Sequence, residues 1–281
     1  MLKKTALILL VLIPAVLRAQ VSFEGVSASV SGVTGTGGFV AARGSLSYQA
    51  TDDLTLIPNY SYYTLTDDSP SVSRFGLRAE YQPGKIAWGL EGGYVPRTGG
   101  YMNYSAAGDA KYYFIGPRRG PMEMLYAGPG VQYVRHEQDA GFSDGFGGIT
   151  PAYVLDETRV NLLGGVTIKP VVISSVLSKG FYNQTPPPVG NIWTDVPYFV
   201  TVNRSFLDYY WVNYATLPLD LFDLHGTYAV AKNYWADNPY QSAGFGVTVK
   251  VMGVSVTGDI EFRDLGSGNN RTYYSLSAKL L

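Results

Sequence analysis

Apolar and polar residues alternate at every second position along much of the chain that follows Gln20. The segment 254–263 reads VSVTGDIEFR, in which valine, isoleucine and phenylalanine share one face while serine, threonine and charged residues share the other. The same alternation recurs at 74–81, 85–95, 243–251 and 274–280. Because successive side chains of a strand point to opposite faces, each segment is predicted to be a β-strand with one apolar and one polar face.

The length of these segments and the composition of their polar faces favour a membrane barrel over a soluble β-sandwich. The segments run to about ten residues, whereas strands of globular proteins usually have about five or six. The polar faces are rich in glycine and serine with charges of both signs, which suits a crowded aqueous interior. Aromatic residues, mostly tyrosine and tryptophan, gather near strand ends, at 60–63, 112–114, 209–211 and 273–274. Such rings are enriched at the two interfaces of a bilayer.

In this pattern the chain resembles the porin-like β-barrel proteins of bacterial outer membranes. The resemblance implies an all-β fold, a transmembrane antiparallel up-and-down β-barrel, in contact with outer-membrane lipid. Counting strands from both ends gives about 14, or roughly 12–16, and an even number is usual for single-chain bacterial barrels. The predicted strands, with a short turn at 156–157, are 21–32, 39–49, 54–64, 71–82, 85–96, 104–115, 122–137, 149–155, 159–180, 197–216, 219–231, 241–251, 253–263 and 271–281.

Two of these strands, 159–180 and 197–216, are predicted to form a long hairpin that projects beyond the membrane. Pro170 would then lie at a bulge or outside the bilayer, because proline cannot donate a hydrogen bond to a strand ladder. The connecting loop, 181–196, contains the proline-rich run QTPPP at 184–188. Three roles are open for it: a lid over the mouth, a partner-binding feature, or a tolerated loop, of which the last is favoured.

The N-terminus has the features of a cleaved signal peptide. Lys3 and Lys4 precede an apolar stretch that is shorter than the roughly 18 residues of a membrane-spanning helix. We therefore expect residues 1–19 to be a signal peptide and residues 20–281 to form a single barrel domain. Such a protein is exported and is expected in the bacterial outer membrane.

The composition excludes several classes of function. Among the 281 residues, Lys and Arg number 21 and Asp and Glu 22, so the formal net charge is −1. A nucleic-acid binder would carry a basic surplus, and we expect no nucleic-acid partner. The chain contains no cysteine, which excludes disulfides, thiolate metal sites and a cysteine nucleophile. Since there are also only two histidines, we expect neither a metal site nor a cofactor.

The polar faces of the strands are predicted to line the barrel interior with small side chains and with charges of both signs. A barrel of about 14 strands is closer to the 16–18-stranded barrels that hold an aqueous channel than to the filled 8-stranded ones. The predicted lumen-lining charged residues are Arg43, Arg74, Arg78, Glu80, Glu91, Asp109, Lys111, Lys250, Asp259, Glu261 and Arg263. We expect them to set a weak ion selectivity, to pair across the interior and hold it rigid, or to do both.

These features favour a channel for the passive diffusion of small hydrophilic solutes, and they argue against an enzyme. The first alternative is a non-conducting structural barrel that presents the 159–216 hairpin, through its 181–196 loop, to another envelope protein. Uptake of hydrophobic molecules is a further possibility. It would need an apolar lumen and a lateral opening, which these polar faces do not suggest.

A barrel-embedded hydrolase is the least favoured alternative. Asp223 and His225 lie two residues apart on a predicted strand and therefore face the same way. No serine can be tied to this pair from the sequence, so the match to a catalytic motif is weak. His136 ends a predicted strand and is interpreted as a solvated residue at the base of a loop.

Overall fold

The computed structural model describes residues 25–64, 71–115, 122–142, 148–188, 192, 194–198, 202–203, 205–251, 253–264 and 270–280. The predicted signal peptide, residues 1–19, lies outside them. Within the described residues, fourteen strands form one closed antiparallel barrel, which confirms the predicted fold and strand number. None of the described residues belongs to a helix long and apolar enough to cross a membrane.

The strands, in chain order, are β1 (Val26–Gly35), β2 (Val40–Gln49), β3 (Leu54–Thr64), β4 (Val72–Tyr81), β5 (Ile86–Thr98), β6 (Tyr101–Ile115), β7 (Met122–Gln138), β8 (Tyr153–Ile168), β9 (Val171–Tyr182), β10 (Thr194–Asp195), β11 (Val202–Asn203), β12 (Leu207–Pro218), β13 (Phe222–Asn233), β14 (Tyr240–Val251), β15 (Val254–Asp264) and β16 (Arg271–Leu280). The short strands β10 and β11 pair only with each other, and the rest form the barrel.

The barrel is up-and-down, since each strand pairs with its neighbour along the chain and β1 pairs with β16 to close the ring. At the closure Ser31 lies opposite Ser277. The connections alternate between the two ends of the barrel. One end, called the turn end below, carries the connections 50–53, 82–85, 116–121, 169–170, 219–221 and 252–253. The other, called the loop end, carries 36–39, 65–71, 99–100, 139–152, 183–206, 234–239 and 265–270.

The outward side chains of the barrel are apolar and exposed, as the alternation predicts. The most exposed of them on the strands include Leu46, Phe75, Leu77, Trp88, Leu90, Phe114, Leu162, Leu177, Phe245 and Phe262. A closed barrel has no unpaired edge, so its backbone groups are satisfied internally and its apolar exterior can face hydrocarbon. This arrangement places the polar members of each strand inside.

The predicted boundaries between residues 149 and 216 are wrong, although the number of strands there is right. The turn expected at 156–157 lies within β8, and Pro170 belongs to the two-residue turn that separates β8 from β9. Pro170 therefore lies outside the strand ladder, which suits a residue without an N–H donor. The strands 159–180 and 197–216 therefore do not form a projecting hairpin; β9 pairs with β12, and residues 183–206 connect them.

A glycine in β7 sits where the barrel wall leaves no room for a side chain. A Cβ built on Gly128 would lie 1.7 Å from the carbonyl oxygen of Ala110 on β6. A clash with backbone can be relieved only by moving a strand, so we expect Gly128→Ala to cost about 3 kcal/mol, the upper end of the overpacking range. Urea unfolding in detergent measures this cost. Gly92→Ala is the matched control, because a Cβ there meets no atom within 4 Å, and equal stability of the two variants would contradict the prediction.

Candidate functional site: the lumen and its inward loop

The inward faces of the strands enclose a cavity of about 970 Å³. Hydroxyl groups form much of its lining, and the contributing residues are Ser29, Ser31, Ser45, Ser61, Thr227, Ser242, Thr248, Ser255, Thr257, Ser275 and Ser277. Several of them hydrogen-bond to each other across neighbouring strands; the Ser29 and Ser45 hydroxyl oxygens are 2.7 Å apart, for example. These residues occupy alternate strand positions, which is why the sequence pattern could place them inside.

One wall of the lumen, on β4, β5 and β6, carries a network of charges centred on Arg78. The Arg78 Nε donates to Glu80 Oε1 at 2.7 Å and its Nη2 to Asp109 Oδ2 at 2.8 Å. Its Nη1 lies 3.9 Å from Glu91 Oε2, so one guanidinium serves three carboxylates. Arg74 Nη2 donates to the other oxygen of Glu91 at 3.2 Å. Lys111 also belongs to this network, with its Nζ 3.9 Å from Asp109 Oδ1.

The opposite wall, on β13 to β16, holds smaller ionic groups. Lys250 Nζ donates to Asp223 Oδ1 at 2.9 Å, and Arg263 Nη2 donates to Glu261 Oε1 at 3.0 Å. The predicted charged residues thus lie on inward faces of the barrel. Those that border the cavity itself are Arg43, Arg74, Arg78, Glu91, Asp109, Lys111, Asp259 and Glu261.

His225 and Asp223 share a face, as predicted, but each has a different partner. His225 Nε2 hydrogen-bonds to Asp259 Oδ1 at 2.5 Å, while Asp223 pairs with Lys250. Ser275 Oγ donates to the second oxygen of Asp259 at 2.7 Å. The carboxylate therefore lies between the imidazole and the hydroxyl, whereas an activated serine requires the histidine in the middle. This geometry orients polar groups in the lumen and does not generate a nucleophile.

The connection between β9 and β12, residues 183–206, is called the inward loop, because its described residues Ile192, Val196 and Phe206 are buried inside the barrel. Ile192 is 1% exposed and Phe206 3% exposed, and both pack among inward side chains of the barrel. Val196 is buried against residues of β9, β12 and β13. Farther along, Tyr198 borders the cavity and stacks on Tyr214 of β12, with ring centroids 4.8 Å apart.

The loop end of the lumen contains a large cluster of apolar side chains. This outer apolar cluster consists of Val33, Phe39, Ala41, Tyr63, Val72, Val95, Tyr101, Leu155, Ile192, Phe206 and Tyr273. Most of them are inward residues of barrel strands. Ile192 and Phe206 come from the inward loop. The lumen is therefore asymmetric, with the outer apolar cluster at its loop end and a hydroxyl-rich, charged middle.

Three charged or titratable side chains are buried next to the base of the inward loop. They are called the buried ionic cluster, and the sequence did not predict it. Glu157, Arg159 and His136 are each 2% exposed. The Glu157 carboxylate accepts a hydrogen bond from Arg159 and lies 3.0 Å from His136 Nε2. The interpretation of His136 as a solvated residue is therefore wrong. The alternation along 155–159 could have shown that Glu157 and Arg159 face inward on one strand. The acidic pair at 156–157 suggested a turn instead.

The buried ionic cluster also contacts the base of the inward loop. The Phe206 ring meets the His136 ring edge-on, with centroids 5.4 Å apart. The Tyr182 hydroxyl lies 3.4 Å from Glu157 Oε1. It donates a hydrogen bond to the carbonyl of Leu207 at 2.7 Å. On the outer side, Trp235 Nε1 donates to the carbonyl of Pro186 at 2.9 Å. The loop is thus held at its base and at its outer surface.

Comparison with solved structures identifies outer-membrane proteins of the same architecture. The CymD monoaromatic hydrocarbon channel superposes with a TM-score of 0.54 and 10% identity, over 92% of this chain and 88% of that chain. Omp33, an outer-membrane protein of Acinetobacter baumannii, superposes with a TM-score of 0.51 and 10% identity, over 91% and 97% of the two chains. No protein-family model and no curated protein matches the sequence. At this level of identity the likeness concerns the fold.

Proposed function

We propose that this barrel, which has the fold of bacterial outer-membrane proteins, is a channel for the passive diffusion of small hydrophilic solutes. The observation that carries the proposal is the cavity of about 970 Å³, whose lining is rich in hydroxyl groups. Hydroxyl groups donate and accept hydrogen bonds, so they replace part of the water that a polar solute loses on entry. Several of the charges around them form ion pairs, which limits selectivity between anions and cations.

Passage through the loop end requires the inward loop to move. Ile192 and Phe206 of that loop belong to the outer apolar cluster, and an apolar constriction opposes hydrated solutes and ions by excluding water. The channel is therefore gated in this proposal, with residues 183–206 as the gate. Binding of another envelope protein through 181–196 is less favoured, because Ile192 and Val196 are buried in the barrel.

Single-channel recording tests the proposal. Residues 20–281, refolded in detergent and inserted in a planar bilayer, should give reproducible current steps interrupted by closures. A folded and inserted barrel that never conducts, including after removal of the inward loop, would contradict a channel function. Heat-modifiable mobility on gels verifies that each preparation is folded before it is recorded.

Replacement of the central arginine should change the ion selectivity of the open channel. Arg78→Gln removes the cation that is shared by Glu80, Glu91 and Asp109, so this wall of the lumen loses one positive charge and keeps its three carboxylates. We expect the permeability ratio to move toward cations by a factor of a few. The reversal potential in a KCl gradient measures it. Arg135→Gln removes an arginine of an exposed ion pair outside the cavity and should leave the ratio unchanged.

A second candidate is the passage of small apolar ring compounds. The outer apolar cluster favours it, because an apolar entry binds such molecules and repels hydrated ones. CymD, which has a similar fold, is described as a monoaromatic hydrocarbon channel. Vesicle uptake of toluene and of glucose, compared side by side, separates the two candidates. Faster entry of toluene than through protein-free vesicles, without any entry of glucose, would favour the second one.

A further inference from the structure

We propose that Tyr198 and Tyr214 form a lumenal binding site for the ring of a neutral sugar. This inference rests on the proposed channel in one respect, since the sugar is the permeating solute. The site combines an aromatic surface, a surrounding set of hydroxyl groups and a local balance of charge.

The aromatic surface is a stacked pair of rings contributed by the inward loop and the barrel wall. The rings of Tyr198 and Tyr214 are nearly parallel, at 9°, with centroids 4.8 Å apart. Tyr214 also contacts the His225 ring, which is tilted by 38° with ring centroids 5.7 Å apart. Tyr198 is 41% exposed and borders the cavity, so part of its ring is open to a solute. Sugar rings present a face of C–H groups that packs well on such an aromatic face.

The backbone holds Tyr198 in this place at a conformational cost. Its φ is +62°, in the left-handed region that residues other than glycine rarely adopt. The stack on Tyr214 of the barrel wall holds the Tyr198 ring in this position. Strained backbone that is over-determined by its surroundings is typical of ligand-binding positions.

The cavity beside the pair is suited to a ligand with many hydroxyl groups. It is lined by hydroxyl side chains together with the amides of Asn59, Gln132 and Asn161. Both kinds of group can donate and accept hydrogen bonds, as sugar hydroxyls require. Its volume of about 970 Å³ lies within the range of small-molecule sites, so a mono- or disaccharide can enter.

The charges near the pair favour an uncharged ligand. Asp259 is bonded to His225 and Ser275, and Asp223 to Lys250. Farther along the wall Glu261 is bonded to Arg263. A charged ligand that bound to one of these groups would compete with its partner, and the released partner would be left unpaired. A neutral ring with hydroxyl groups avoids that cost.

Direct binding to the mature chain in detergent tests the site without relying on conduction. Saturation-transfer NMR is used with glucose, sucrose and maltose as probes, and phenol as an aromatic ring without a sugar's hydroxyl pattern. We expect a signal for at least one sugar, reduced at least tenfold in affinity by Tyr198→Ala or Tyr214→Ala. Tyr198→Phe should bind within twofold of the unmodified chain, because it keeps the ring. If Tyr198→Ala fails to fold, Tyr198→Leu removes the ring and keeps the bulk.

Tyr113→Ala is the matched control. Tyr113 is a tyrosine of β6 that packs on Tyr126 and does not border the cavity, so its loss should leave sugar binding unchanged. No sugar signal, equal binding by Tyr198→Ala and the unmodified chain, or binding of phenol alone would each overturn the proposal. A barrel that binds sugar through Tyr198 but never conducts would leave the site standing and overturn the channel function. A conducting barrel that does not bind sugar would overturn the site and leave the channel function standing.

Discussion

Removal of the inward loop should produce a barrel that conducts several-fold more current and closes less often. The expected change follows from the side chains that the loop inserts: Ile192 in the outer apolar cluster, Val196 against β9 and β12, and Tyr198 beside the cavity. Replacing 185–204 with a short glycine-serine linker removes all three and keeps Phe206 in its aromatic surroundings. The ends are easily joined, because β9 and β12 are adjacent.

Single-channel conductance of the variant and the unmodified chain, recorded in the same salt, measures the effect. The matched control shortens a different connection at the loop end, 265–270, to a similar linker. It leaves residues 192, 196 and 198 and also Trp235 in the chain and should raise the conductance far less. Unchanged current in a folded loop-deletion variant would mean that residues 183–206 do not obstruct the pore.

The converse experiment holds the loop in place. The chain has no cysteine, so the pair Pro186→Cys and Trp235→Cys provides the only thiols. These positions are in contact through the Trp235 Nε1 hydrogen bond to Pro186. A short bis-maleimide that links them should abolish open bursts, whereas each single-cysteine variant treated with the same reagent should keep them. Bursts that persist after complete cross-linking would mean that a part of the barrel other than the inward loop opens the channel.

The fold was predictable because a lipid exterior and an aqueous interior impose the same two-residue period on every strand. That period is visible in 254–263 without any knowledge of partners, and it also assigned the lumenal charges to one face. It carries no information on which strand lies opposite, however. Asp223 and His225 share a face by spacing, yet the partner of His225 is Asp259, two strands away, because the register of the sheet decides it.

The inward loop could not be predicted for a different reason. Ile192, Val196 and Phe206 are apolar residues in a connection without strand or helix periodicity, so their burial depends on tertiary contacts alone. Tertiary contacts also determine where the strands before the loop begin and end, and for this reason their predicted boundaries were wrong. The acidic residues at 156–157 suggested a turn, but β8 extends past them, with Glu157 turned inward to Arg159 and the next residue toward the exterior.

Glu157→Gln should destabilise the barrel by about 3–5 kcal/mol, the cost of leaving a buried charge without its partner. The carboxylate accepts from Arg159 and is 3.0 Å from His136, and all three side chains are almost fully buried. A neutral amide of the same shape leaves the Arg159 guanidinium uncompensated away from water. Guanidinium or urea unfolding, followed by tryptophan fluorescence in lipid vesicles, measures the change.

Two further variants decide whether the lost charge pairing is the cause. Glu137→Gln removes a carboxylate from partly exposed ion pairs with Arg97 and Arg135, and such pairs contribute about 0–1 kcal/mol. Adding Arg159→Met to Glu157→Gln removes the stranded cation and should recover part of the stability. Because Phe206 packs on His136 and Tyr182 bonds to Leu207, the single Glu157 variant should also loosen the base of the inward loop and lengthen channel openings. Loss of stability without longer openings would separate the buried ionic cluster from the gate.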